Sequence, residues 1–170
     1  MELFKLTNVQ TDFEPYDLNA TWKTPSPYYN SQVMKTYEEK LLELIKPLFD
    51  DFGYDIKGAS DEQLLKFEEI AIRNHLPENA IIELKRFYKV TNGIPCLEVD
   101  IFEPDNPLLY ELWDLQKQLW IGQKDMDIIS WKEGRFHIGG AGNLNYGKEY
   151  IFENLLDLLI KGFKDWHLKK

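Results

Sequence analysis

At Asn92-Gly93 the spacing of apolar residues changes from three or four to two, so the chain has to be built as helices first and sheet second. Before the break, Val33, Tyr37, Leu41, Leu44, Leu48 and Phe52 recur at helical spacing among Glu38, Glu39, Lys40 and Glu43, and Gly53 supplies a terminator. Ser60 and Gln63 have capping-box spacing ahead of a second helix with Leu64, Phe67 and Ala71 on one face, which His75 closes. A third helix follows, with Pro77 near its first turn, Ile81, Leu84 and Tyr88 facing inward, and Asn92-Gly93 as a left-handed stop.

After the break, Leu97, Val99 and Ile101 alternate with Glu98 and Asp100, the pattern of a half-buried strand. Residues 107–120 are read as a short helical or irregular connection. Strands are expected over Met126–Trp131 and Arg135–Ile138, joined across Lys132-Glu133-Gly134 as a hairpin. A last helix is expected from about Glu149, with Ile151, Leu155 and Leu159 on one side and Phe152, Leu156 and Phe163 beside them. Lys161, Lys164, Lys169 and Lys170 gather at its negative end, where cations are favourable. The expectation is one α+β domain over 32–170, a mainly antiparallel sheet flanked by N-terminal helices and a C-terminal helix. Residues 1–31, broken by Pro15, Pro25 and Pro27 yet carrying Phe13, Tyr16, Trp22, Tyr28 and Tyr29, read as an extended aromatic arm that packs on its own domain or straps a partner.

Charge narrows the range of partners. Acids outnumber bases by 29 to 20, and the resulting net charge of −9 repels phosphate backbones and anionic lipid while attracting a basic protein. No nucleic acid and no membrane are therefore expected as ligands. The single cysteine, Cys96, cannot form an internal disulfide, and Met1–Asp17 lacks the basic and apolar regions of a signal peptide, so a cytoplasmic location is expected.

Catalytic patterns are weak. Gly142-Asn-Leu-Asn-Tyr-Gly-Lys-Glu149 has the glycines and lysine of a phosphate-binding loop in an expected strand-to-helix setting, but Glu149 stands where a magnesium-holding hydroxyl belongs. A nucleotide-binding enzyme centred on Gly142 and Lys148 is the remote alternative. His75, His137 and His167 show no metal-ligand spacing, and His137 reads as a surface or sheet-face histidine. Cys96 beside Pro95 has no base in sight and reads as core, while Asp125 and Asp127 read as a solvated edge. No catalytic residue, cofactor or metal is assigned.

The stretch Leu84-Lys-Arg-Phe-Tyr-Lys-Val-Thr-Asn-Gly-Ile94, a helix ending in Asn-Gly, with Leu76-Pro77 ahead of it and Tyr150-Ile-Phe-Glu-Asn-Leu-Leu156 in a closing segment, resembles the SUKH superfamily. These are the fungal cell-wall assembly regulators and their bacterial immunity-protein relatives. The resemblance runs from about Val33 to Phe163; the arm and Gly139-Gly140-Ala141-Gly142 have no match in it. It implies a sheet flanked by helices, no catalytic residues, and in bacteria the neutralisation of polymorphic toxins, often nucleases, by direct binding. The expected function is accordingly an immunity protein that binds a basic toxin domain, with a regulatory scaffold as the alternative. Asp100, Glu103, Asp105, Trp113 and Trp120 are expected to form an exposed acidic and aromatic contact set.

Overall fold

The computed structural model of the chain describes residues 35–95, 99–140 and 147–167, the last three by backbone alone. All belong to the unit Met34–Lys170. The expected arm over 1–31 lies outside the described residues, as do Cys96, Leu97, Glu98, Lys169 and Lys170.

Among the described residues three helices come first: α1 (Tyr37–Phe52), α2 (Asp61–Arg73) and α3 (Glu78–Val90). Two of them start on reciprocal caps. Thr36 Oγ1 accepts from the Glu39 N–H at 3.2 Å while Glu39 accepts from the Thr36 N–H at 2.8 Å, and Ser60 and Gln63 repeat the arrangement at α2. The first of these boxes places the start of α1 at Tyr37 rather than at the expected Val33. Gly53 takes the left-handed conformation past α1, and His75 does so past α2 at φ 58°.

Six strands follow: β1 (Ile94–Pro95), β2 (Val99–Ile101), β3 (Gln118–Lys124), β4 (Asp127–Lys132), β5 (Arg135–Gly139) and β6 (Ile151–Phe152). They form one antiparallel sheet in sequence order, so the expected α+β architecture stands. A 3-10 turn, Pro107–Tyr110, and a short helix α4 (Trp113–Gln116) precede β3, and α5 (Leu155–His167) closes the chain. The β4–β5 turn is two residues long, with φ 53° at Glu133 and 84° at Gly134, as a type I′ hairpin requires.

Three expectations change. Residues 118–124, partly read as connection, form the strand between β2 and β4. Leu119 and Ile121 are fully buried, and so is Gln118 on the other pleat; a bulge at Trp120/Gly122 shifts the register, so no clean alternation survives in the sequence. Second, residues 148–152 are not part of the closing α-helix. Lys148–Tyr150 make a 3-10 turn and Ile151–Phe152 pair with His137 and Phe136, so α5 waits until Leu155. Asn154 caps it by accepting from the Asp157 N–H at 2.9 Å, and Glu83 of α3 accepts from the Leu155 N–H at 3.2 Å. Third, Asp125 sits in the β3–β4 turn at φ 53° and only Asp127 belongs to a strand.

The core lies between the helices and the sheet. Leu41 and Ile45 of α1, Phe67 of α2, Leu84 and Phe87 of α3 and Leu155 of α5 are fully buried, and the sheet contributes the facing pairs Ile94 and Ile101, Ile129 and Ile138, and Trp131 and Phe136. Tyr88 sits edge-on to both Phe67 and Phe87 with ring centroids 5.4 Å apart.

His137 faces the pleat opposite Phe136 and Ile138 and retains 8% exposure, with Ser130 as its register partner on β4. Its Nε2 lies 3.1 Å from the Lys132 carbonyl and so carries the hydrogen, which leaves Nδ1 as a buried acceptor with no partner. Burial holds the imidazole below its ordinary 6.5, and the hydrogen bond to Lys132 opposes that only in part. The unfolded chain therefore takes up this proton first. Stability is expected to fall as pH drops from 6.5 through the folded value, and His137→Gln is expected to remove that slope in urea unfolding followed across the window. Glu83 and Asp100, both raised by burial, act in the opposite sense, so the comparison with the histidine variant isolates the effect.

Candidate functional site

The break that organises the sequence also organises the site. Helix α3 ends at Val90; Thr91 leaves it in an extended conformation at φ −146°. The left-handed residue is Gly93, at φ 91°, and not Asn92. The loop is tied down: Asn92 N–H donates to the Lys57 carbonyl at 2.7 Å and Thr91 Oγ1 donates to the Gly93 carbonyl at 2.6 Å. It lies flat on β2, since a Cβ on Gly93 would come within 2.5 Å of the Ile101 carbonyl oxygen.

Strand β2 carries Asp100 to this loop, and the chain then turns through Glu103-Pro104-Asp105, closed by Asn106 N–H to the Glu103 carbonyl at 3.1 Å. Two hollows result, of about 280 and 190 Å³, and both are lined by Asn92, Pro95 and Glu103. The larger extends to Tyr54 and Asp55; the smaller takes in Asp100 and Asn106. Their polar lining is mostly acceptor. Asn92 Oδ1 is buried without a hydrogen-bond partner among the described residues, and burial pushes the Asp100 carboxyl above its usual range, with no cation among the described residues to offset it. At the far rim, Lys57 reaches Asp55 at 3.2 Å.

The five expected contact residues divide. Asp100 and Glu103 meet at the smaller hollow, and exposed Asp105 follows in the same turn. Trp120 is half-buried; its ring stands edge-on to Phe102, a wall of that hollow, at 5.5 Å, and its Nε1 donates to the Gly122 carbonyl at 2.7 Å. Trp113 corrects the expectation of exposure. It is 6% exposed, packs 6.3 Å from the Trp131 ring, and spends its Nε1–H on the Asn74 carbonyl at 2.7 Å. A large ring close to the start of a central strand is more useful as core than as surface. Sequence reasoning assigned Asn92 only a terminating role and passed over Asn106; the amide side chains beside acids at 92–106 were the available signal.

The phosphate-loop reading loses its setting where it can be followed. Residues 141–146 lie outside the described residues, but Gly147 and Lys148 lead into a 3-10 turn and a strand instead of a helix, and the Glu149 carboxylate lies against Gly147. His75 lies in the α2–α3 connection, His137 on β5 and His167 at the end of α5. Among the described residues no helix is long and apolar enough to cross a membrane. No family model matches the chain, and no curated protein matches it in sequence.

Proposed function

We propose that the protein is a SUKH-like protein-binding module that neutralises a basic toxin domain, such as a nuclease, by direct contact. The observation that carries this reading is the corner formed by Asp100, Glu103 and Asp105, which offers three carboxylates with no ion-pair partner among the described residues. A lysine or arginine from a partner supplies the missing donors, and each bond it makes is charge-assisted. The net charge of −9 adds long-range attraction that speeds encounter. Phe102 and the half-buried Trp120 give the corner a rigid apolar wall, which lowers the entropy lost when a side chain docks.

The test is capture from native lysate at low and high salt with the tagged chain and with a variant carrying Asp100→Lys, Glu103→Lys and Asp105→Lys. One stoichiometric, basic partner is expected, released by salt and bound roughly a hundredfold more weakly by the variant. Full retention by the variant, or an acidic partner, would sink the assignment of this corner. Several unrelated partners would favour the regulatory scaffold.

A further inference from the structure

A second concavity lies on the helical side, away from the acidic corner. Helices α2 and α3 are joined by the short connection Asn74–Pro77, and Glu68 and Lys85 meet across them at 2.6 Å, halfway along each. That bond sets the level of the other residues. One turn nearer the connection, Ile72 on α2 and Ile82 on α3 flank the groove at 60% and 59% exposure; one turn further, Leu65 is 58% exposed. The groove encloses about 870 Å³ over a floor that includes Leu76 and Ile81.

Its charges are mostly settled internally. Glu68 is paired with Lys85, and Glu38 takes Arg86 at 2.7 Å while the guanidinium also lies 4.3 Å over the Tyr37 ring. Two lining charges have no ion pair among the described residues: Glu78 at the start of α3 and Lys89 near its end, eleven residues or about 16 Å apart. With Ile82 and Lys85 they make one stripe along α3, reading acid, apolar, base, base.

That stripe is self-complementary under a two-fold rotation. If α3 of a second copy lies antiparallel to α3, with the axis crossing between Glu83 and Leu84, Glu78 faces the partner's Lys89, and Lys89 faces the partner's Glu78. The partner's Lys85 then comes over Ile82, and its methylene stem covers that apolar surface while its ammonium stays with Glu68. Both uncompensated charges are answered at once, and the exposed isoleucines of α2 and α3 are removed from water. We propose that this groove is the site at which a second copy of the chain docks, through an isologous α2–α3 contact.

Sedimentation of the full chain from micromolar to near-millimolar concentration tests this. A concentration-dependent dimer is expected. Ile82→Lys, at a position too exposed to perturb the core, removes the apolar surface and faces the partner's Lys85 with a like charge, and is expected to raise the dissociation constant about a hundredfold without altering the thermal melt of the dilute monomer. Glu78→Lys and Lys89→Glu are each expected to raise it about tenfold, because each reversal sets like charges together twice in the dimer, and the double variant is expected to return close to the starting value. A chain that stays monomeric throughout, a dimer indifferent to Ile82→Lys, or a double reversal as weak as the single ones would overturn the proposal.

Discussion

Gly93→Ala is expected to lower the unfolding free energy by about 3–5 kcal/mol, enough to leave a domain of ordinary stability marginal. Two costs act together. Alanine resists φ 91°, and its Cβ would lie 2.5 Å from the Ile101 carbonyl and 3.2 Å from the Glu103 N–H, both backbone and neither able to swing aside. Relief requires β1 to separate from β2, which also opens the two hollows lined by Asn92. Gly53→Ala is the control: its φ of 69° is similarly left-handed, but nothing lies within 4 Å of the added carbon. That change should cost only about 1 kcal/mol. Urea midpoints of the two variants decide the matter, and equal losses would show that the close approach to β2 is unimportant.

Trp113→Ala is the second large effect. A buried tryptophan cut back to alanine costs about 3–5 kcal/mol through lost transfer energy and the cavity left against Trp131. The Asn74 carbonyl also loses its donor, at the connection between α2 and α3. The fraction that remains folded should bind its partner with unchanged affinity, because Trp113 is interior and apart from the acidic corner. Trp120→Ala should behave in the opposite way: a smaller stability loss of about 1–2 kcal/mol, with weaker binding as Phe102 loses the ring that braces it. Thermal melts beside titrations with the captured partner separate the two tryptophans. A Trp113 variant that melts normally yet fails to bind would restore the original expectation of a contact residue.

The parts of the site that were legible were those marked by charge and by chain punctuation. Asp100, Glu103 and Asp105 could be singled out because acids flanking a strand and a proline turn are seldom buried. The same reasoning failed for Trp113, because a single aromatic in an aperiodic stretch carries no sign of which way it points. Asn92 could be recognised as turn chemistry. Its exposure to a hollow beside Asp100 could not, since that depends on where β2 lies relative to the end of α3.

Local chemistry in the sequence determined the three leading helices, the β4–β5 hairpin and the turn at Asn92-Gly93. Thr36 with Glu39, Ser60 with Gln63 and Glu133 with Gly134 each act within four residues, and apolar spacing on one buried face sets the rest. Only the tertiary structure decided that 118–124 is a strand inside the sheet, that Ile151–Phe152 pair with β5 before α5 begins, and that Glu83 caps a helix 72 residues further on. A strand buried on both faces and shifted by a bulge loses the alternation that would announce it, and a two-residue strand is held by its neighbour's hydrogen bonds, which no local pattern encodes.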